Sequence, residues 1–435
     1  MSTVKIGICG LGTVGASTYQ LMQKNAAQLS ARAGCELEIV HIGARRDNPD
    51  CDTGDTRVSR DIFELVSDPD IDILVELIGG TDTALDLVRQ AVSNGKHVVT
   101  ANKALIAEHG NELLKMAEDA GVTIAYEAAV AGGIPIIKAL REGLAANQIQ
   151  WLAGIINGTG NFILSEMREK GREFADVLAE AQALGYAETD PTFDVEGIDA
   201  AHKLVIMAAI AFSMPLQFDK VYTEGITRIT TSDVEYAEEL GYRIKHLGIA
   251  RRCAGGIELR VHPTLIPEKR LLANVNGVNN AVLVEGDAVG PTLYYGAGAG
   301  GSATASAVVA DIIDLARDLA LGQRHAVAGL GVASDHIVEL PVVSIDQIET
   351  AYYMRMTVED KPGVLSDIAR ICSEAGISIE ALIQKQPLEG ETRVPVIILT
   401  NLVQESKLMS VVIQIESLDS VQGEITRIRV ESLDG

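Results

Sequence analysis

The chain has 435 residues, of which 47% are hydrophobic and 22% charged, the make-up of an ordinary globular protein with apolar material for more than one core. At roughly 150 residues per domain, a single small module is excluded and several domains are expected. Sixty acidic side chains outnumber 36 basic ones, for a net charge of −24. This opposes non-specific contact with nucleic acid or an anionic membrane, so any anionic ligand needs a local basic pocket.

Residues 1–131 alternate short β-branched runs with amphipathic stretches of helix length. Strands are expected at Val4–Cys9, Leu37–Ile42, Ile71–Leu77, His97–Thr100 and Val122–Tyr126, and helices at Val14–Asn25, Thr83–Asn94 and Ala104–Ala120. Strands alternating with helices in this way predict an α/β fold with a Rossmann-type, doubly wound parallel sheet. Residues 132–325 change character, with helices expected at Phe174–Leu184 and Ala200–Ala211 and strands at Ile257–Thr264 and Ala281–Gly286. The glycine run Gly296–Gly301 and a helix at Ala303–Ala320 follow. A second, α+β domain is expected there. Residues 326–350, with the small-residue segment Ala326–Ser334 and then Pro341, read as a linker. Residues 351–435 predict a small α/β domain, with strands at Tyr352–Val358, Ile377–Gln384, Val394–Thr400 and Ile425–Val430 and a helix at Val364–Ala375.

Cysteines 9, 35, 51, 253 and 372 form no CxxC pair, and an odd, irregular set is not a disulfide framework. Met1 leads straight into an apolar strand without a basic or apolar leader, and no apolar run approaches the ~18 residues of a membrane helix. A cytoplasmic protein is expected.

The first strand runs into Gly10-Leu11-Gly12-Thr13-Val14-Gly15 and then a helix. In that context Gly10 allows the tight turn, Gly12 admits a pyrophosphate to the backbone and Gly15 permits close helix–strand packing, so a dinucleotide is expected on the helix N-terminus. The second strand ends in Gly43-Ala44-Arg45-Arg46, where an NAD site normally places an acid for the ribose. Two guanidiniums suit a 2′-phosphate, which favours NADP(H) over NAD(H). A solvated basic turn feeding Asp47 and Asp50 is the plainer alternative.

The strand His97–Thr100 ends in Ala101-Asn102-Lys103, and carboxyl ends of parallel strands are where open α/β sheets bind ligands. Lys103 is therefore placed for chemistry. A second cluster runs through Gly185-Tyr186-Ala187-Glu188-Thr189-Asp190, then Asp194, Asp199 and Lys203. Asp199 and Lys203, four apart, share a helix face if Asp199 opens the helix. An exposed acidic loop with a surface ion pair is the simpler alternative, and the EF-hand spacing is not matched. The eight histidines are scattered and no HExxH or GxSxG string occurs, which disfavours transition-metal and serine-hydrolase chemistry.

Thr100–Lys103, the 184–190 segment with Asp199 and Lys203, and Tyr294–Gly301 together resemble the homoserine dehydrogenase family over residues 1 to about 330. The resemblance implies reversible NAD(P)H-dependent reduction of L-aspartate 4-semialdehyde to L-homoserine, on the route to threonine and methionine. By the same resemblance Lys203 matches the proton donor and Lys103 the lysine beside the nicotinamide. Glu188 and Asp199 match substrate-holding acids, with Asp194 beside them, and Thr100, Gly185 and Gly301 line the cofactor. Glu127, Val130, Gly132 and Ile134 match a loop that holds a structural sodium ion, largely through carbonyl oxygens. The second domain would then be catalytic and dimerising. Ala297 stands where many relatives carry proline, which loosens the backbone near the cofactor.

Asp360-Lys361-Pro362-Gly363-Val364-Leu365 with a helix behind it is similar to the ACT family of ferredoxin-like amino-acid-sensing domains. That likeness implies homodimers or homotetramers and a threonine effector, with a domain that only assembles subunits as the alternative. Two other functions compete: aspartate-semialdehyde dehydrogenase, which needs a nucleophilic cysteine, and a catalytically silent nucleotide- and amino-acid-binding regulator.

Overall fold

The computed structural model describes residues 2–323, 325–385 and 392–434. In chain order the strands and helices are β1 (Thr3–Cys9), α1 (Thr13–Lys24), α2 (Ala26–Ala33), β2 (Glu36–Gly43), β3 (Arg57–Ser59), α3 (Phe63–Ser67), β4 (Ile73–Glu76), α4 (Asp82–Ser93), β5 (His97–Thr100), α5 (Lys103–Ala120), β6 (Ile124–Ala125), α6 (Ile136–Lys138) and β7 (Ile149–Ile155). Then come α7 (Gly158–Lys170), α8 (Phe174–Ala183), α9 (Thr192–Val195), α10 (Ile198–Phe212), β8 (Tyr222–Thr223), α11 (Thr231–Glu239), β9 (Tyr242–Cys253), β10 (Gly256–Pro267), β11 (Asn279–Gly286), β12 (Gly290–Ala297) and α12 (Gly301–Leu321). The last elements are β13 (Glu349–Glu359), α13 (Val364–Glu374), β14 (Ile379–Gln384), β15 (Arg393–Thr400), β16 (Val403–Gln404), α14 (Glu405–Glu416) and β17 (Val421–Val430).

The chain packs as two compact units. One holds residues 1–152, 201–221 and 279–340, the other residues 153–200, 222–278 and 341–435. In the first, a six-stranded parallel sheet runs β3-β2-β1-β4-β5-β6, so strand order reverses between β1 and β4 and opens a ligand crevice at their carboxyl ends. Strands β4 and β5 are buried along their whole length because both faces are covered, which is why they read as unbroken apolar runs. Ile6 and Ile8 join the core beneath α1 and α12. Gly7 looks to the opposite face, where a Cβ would stand 2.6 Å from Ile71. Two expected strands are shorter than predicted: Ile71–Leu77 is reduced to β4, and Val122–Tyr126 to two residues, after which the Tyr126 hydroxyl donates to Gly329 O at 2.5 Å. β11 and β12 form an antiparallel hairpin in this unit.

In the second unit β9 and β10 pair antiparallel over their full length, and β17 joins β10 in parallel through Thr264–Arg429 and Leu265–Val430. β13 lies antiparallel between β17 and β15, with β14 outside β15, so the tail has the β-α-β-β-α-β order of a ferredoxin-like domain. Alternation along β13 serves two cores: Tyr352, Met354 and Met356 pack with α13 and α14, while Tyr353 packs with α7, α8 and α11. Burying both faces of the tail sheet is reinforced by Arg355, whose Nε donates to Asp233 Oδ1 at 2.6 Å.

Candidate active site

The turn after β1 shows three different glycine requirements. Gly10 has φ +103°, and a Cβ there would stand 2.5 Å from Leu77 O, so only glycine makes the turn. At Gly15 a Cβ would lie 2.0 Å from Gly10 O, which lets α1 start hard against the strand. At Gly12, the N-cap of α1, a Cβ would meet nothing within 4 Å. That open backbone leaves Thr13 and Val14 at a helix N-terminus facing the crevice, which fits a dinucleotide pyrophosphate. Gly301 brings α12 onto the same turn, since a Cβ there would stand 2.4 Å from Ser17 Oγ and 3.1 Å from Thr13 Cγ2. The positive ends of two helix dipoles therefore converge on the crevice.

At the tip of β2, Ala44 is buried and Arg45 and Arg46 are exposed. Arg60 is a third guanidinium here, donating to Ala44 O at 3.1 Å and pairing with Asp47 at 2.8 Å. Motif reading missed it because it arrives from beyond β3. The Asp47 carboxylate, held by Arg60, explains how acids next to the arginines leave the tip basic.

Next to the switch point, Glu76 is fully buried at the end of β4. It accepts from the Thr100 hydroxyl at 2.6 Å and from Ile78 N at 2.9 Å, which ties the β4 and β5 tips together. Burial raises its carboxyl pKa and these donors oppose the rise. Asn102 N donates to Thr100 Oγ1, and the Asn102 side chain caps α5 by accepting from Leu105 N at 3.1 Å. Lys103 is thereby fixed as the first residue of α5, at the carboxyl edge of the sheet. Lys203 lies on α10, whose faces are almost wholly apolar, and is 9% exposed. Its neighbour His202 stacks on Phe218 and pairs through Nε2 with Glu108 at 3.1 Å. As expected, Asp199 stands in the first turn of α10, one turn before Lys203.

In the second unit, Asp194 and Asp199 are brought together by Asn157, whose Nδ2 donates to Asp194 Oδ1 at 2.7 Å and to Asp199 Oδ2 at 2.9 Å. Asn157 carries no motif signature and was not among the predicted residues. Glu188 is exposed on the loop after α8, where Gly185 adopts φ +75°.

The Glu127–Ile134 loop opens with a short 3-10 turn, Glu127–Ala129. Glu127 caps α6 by accepting from Ile137 N at 2.9 Å and Lys138 N at 2.8 Å, so its carboxylate is already committed. Burial and then the Asp311 charge raise Glu127 to about 7, while burial raises Asp311 to about 6. Ala131 takes φ +51°, and a Cβ at Gly132 would stand 2.9 Å from Thr304 Oγ1. Gly133 N donates to Ala297 O at 2.9 Å, tying this loop to the glycine run. No group of three His, Cys, Asp or Glu among the described residues is arranged to hold a metal.

In the tail, a pocket of about 320 Å³ is lined by Asp360, Lys361, Gly363 and Gln384, with Gly363 at φ +100° as the N-cap of α13. A larger cavity of about 710 Å³, between the far end of α5 and residues 325–339, contains none of the predicted site residues. Burial pushes the thiols of Cys9, Cys35, Cys51 and Cys372 up, the reverse of what a thiolate nucleophile needs.

Residues 135–313 match the family model for homoserine dehydrogenase, residues 10–127 that for the homoserine dehydrogenase NAD binding domain, and residues 352–417 that for the ACT domain. The chain is 60% identical to the homoserine dehydrogenase of Pseudomonas aeruginosa over 434 residues, covering 100% of both proteins. It belongs to the homoserine dehydrogenase family. The Neisseria gonorrhoeae homoserine dehydrogenase is 53% identical, again over the full length of both. A crystal structure of a homoserine dehydrogenase from Thiobacillus denitrificans superposes with a TM-score of 0.95 at 56% identity, covering 100% of this chain and 99% of that one. A hyperthermophilic archaeal homoserine dehydrogenase in complex with NADPH matches 72% of this chain and 97% of its own, with a TM-score of 0.61 at 28% identity. This member of the homoserine dehydrogenase family is thus an oxidoreductase acting on CH–OH, with an NAD(P)-binding domain and a C-terminal ACT domain. No helix among the described residues is long and apolar enough to cross a membrane.

Proposed function

We propose that the chain catalyses the reversible reduction of L-aspartate 4-semialdehyde to L-homoserine, with NADPH preferred over NADH. The observation that carries this reading is the switch-point crevice, where the open Gly12 backbone and Lys103 stand at the carboxyl ends of one parallel sheet. Bound NADPH supplies a hydride. Gly10, Thr13, Val14, Gly15 and Gly301 shape the two helix N-termini that receive its phosphates, and Arg45 and Arg46, with Arg60 behind them, suit the 2′-phosphate. Lys203 holds the proton delivered to the carbonyl oxygen as negative charge develops there, and Lys103 orients and polarises that carbonyl. Asp199, Asp194 and Glu188 receive the substrate ammonium. Thr100 and Gly185 border the nicotinamide and the cofactor loop.

Glu127, Val130, Gly132 and Ile134 would hold a sodium ion through carbonyl oxygens. The family-model spans support a division into a cofactor domain at 1–131, a catalytic and dimerisation domain at 132–325, a linker at 326–350 and a regulatory domain at 351–435. Threonine is the proposed effector at the pocket beside Gly363, in a cytoplasmic homodimer or homotetramer. The raised thiols speak against the acyl-thiol route of an aspartate-semialdehyde dehydrogenase. The test uses NADPH deuterated at the transferred position and aspartate semialdehyde: homoserine one mass unit heavier, carrying deuterium on the alcohol carbon, is expected. Absence of label, or NADP reduction that requires phosphate and yields an acyl phosphate, would refute the reading.

A further inference from the structure

We propose that Glu76 is a positioning residue of the cofactor site: it stitches together the two loops that floor the nicotinamide half of the crevice and, as a negative charge set in that floor, biases the site toward the oxidised, cationic ring of NADP+ over the neutral ring of NADPH. The inference rests on the reading of the switch-point crevice as a dinucleotide site and names what builds and charges its far half.

The direction of the cofactor follows from the sheet. With the 2′-phosphate at the β2 tip, beside Arg45 and Arg46, and the pyrophosphate on the turn after β1, the rest of a dinucleotide extends past the switch point to the tips of β4 and β5. Glu76 ends β4 there, in register with Cys9 at the end of β1 and with Thr100 at the end of β5. It is fully buried. Its Oε1 accepts from Ile78 N at 2.9 Å and its Oε2 from the Thr100 hydroxyl at 2.6 Å, while Gly79 N and the Asn102 side chain also donate to it. The loops after β4 and β5 are then tied to each other, because Asn102 Nδ2 donates to Gly80 O at 2.6 Å and Asn102 N donates to Thr100 Oγ1 at 3.0 Å.

These partners all present protons and none is charged, the set that an ionised carboxylate needs and that leaves its charge in place. Leu77, the next residue, is held to the glycine turn: its N donates to Cys9 O at 2.8 Å, and its O is the atom that a Cβ at Gly10 would meet at 2.5 Å. The floor is thus continuous with the phosphate-binding turn. A Cβ at Gly79 or Gly80 would meet nothing within 4 Å, so the loop after β4 carries open backbone. A buried charge is poorly screened and acts strongly on a neighbouring cation. Hydride loss from NADPH leaves the ring positive, so Glu76 favours both the oxidised cofactor and the step that forms it.

The experiment is calorimetric titration of the full chain with NADP+, NADPH and adenosine 2′,5′-bisphosphate, a fragment that carries the 2′-phosphate but no nicotinamide. Glu76→Gln keeps the size and removes the charge. Its Kd for NADP+ is expected to rise at least fivefold more than its Kd for NADPH, with the fragment Kd within about twofold of wild type. Thr100→Val keeps the Glu76 charge and cuts the tie to β5, and it keeps the test decisive should Glu76→Gln not fold. Both cofactor Kd values are expected to rise at least threefold in Thr100→Val, with their ratio and the fragment Kd within about twofold of wild type. A wild-type ratio of the two cofactor affinities in folded Glu76→Gln would refute the charge role, and wild-type Kd values in Thr100→Val would refute the stitching role. A fragment weakened as much as NADP+ in folded Glu76→Gln would put the adenosine half against Glu76 and overturn the proposal while leaving the dinucleotide reading intact. Failure of the wild type to bind either cofactor would overturn that reading and the proposal together.

Discussion

Gly15→Ala is predicted to weaken both the fold and cofactor binding, whereas Gly12→Ala weakens binding with little effect on the fold. A Cβ at position 15 would lie 2.0 Å from Gly10 O and 2.9 Å from Gly10 C. Relaxed contacts between such atoms lie at about 3.5 Å, so α1 would have to withdraw from the turn by about 1.5 Å. Overpacking of this kind costs about 1–3 kcal/mol, which in a domain of this size lowers Tm by about 2–12 °C. The same withdrawal moves the helix amides off the phosphates, and each charge-assisted hydrogen bond lost is worth about 1.5–3 kcal/mol, or about 10–150-fold in Kd. A Cβ at position 12 meets no protein atom within 4 Å, and the backbone there is extended. Its cost to the apo fold is the N-cap preference of glycine over alanine, about 0.5–1 kcal/mol, but its methyl group occupies the space the pyrophosphate needs. Fluorescence titration with NADPH and thermal unfolding of both variants separate the two effects. Parental NADPH affinity in Gly12→Ala, or an unchanged Tm in Gly15→Ala, would refute the assignment of these glycines.

Replacing Arg45 and Arg46 together with alanine should raise the NADPH KM about 10–100-fold and leave the NADH KM within a few-fold, since only NADPH carries the 2′-phosphate; equal effects in steady-state kinetics with both cofactors would show the arginines to be a solvated turn. His246 predicts an acid-side stability loss. Burial lowers its pKa from 6.5 to about 4, so between those values the unfolded chain binds a proton that the folded chain refuses, and stability falls as pH drops from 6.5 to 4. About 2.5 pH units at 1.36 kcal/mol each give a loss on the order of 3 kcal/mol. His246→Gln should flatten that stretch of the denaturation-versus-pH curve, and an unchanged slope would contradict the assignment.

The parallel sheet was readable because its signals are local. β5 appears at His97–Thr100 as expected, and α1, α4 and α5 begin within one residue of their predicted starts, since burial on two faces writes apolar runs and helical spacing directly into the chain. The tight turn at Gly10 and the close packing at Gly15 were readable for the same reason. Helix α14 was missed: its first residue, Glu405, is buried and bonds to Arg429 and to the Tyr352 hydroxyl, partners far away in sequence that no periodicity reveals. The same limit hid Glu76, which acts on Thr100 across two strands, Arg60, which reaches back to Ala44, and Asn157, which gathers acids 37 and 42 residues downstream. Lys103 was legible from its strand end and Asp199 and Lys203 from their four-residue spacing, with family resemblance suggesting their roles, while the residues that hold such groups in place became visible only with the fold.

The central claim is that Lys203 delivers the proton as hydride reaches the carbonyl carbon. Its direct test is kcat for NADPH oxidation by aspartate semialdehyde in Lys203→Ala, with NADPH affinity measured on the same sample to establish that the cofactor site is intact. A loss of about 10²–10⁴-fold in kcat with parental NADPH binding is predicted, the range a positioned general acid contributes. A kcat within a few-fold of wild type would contradict the account.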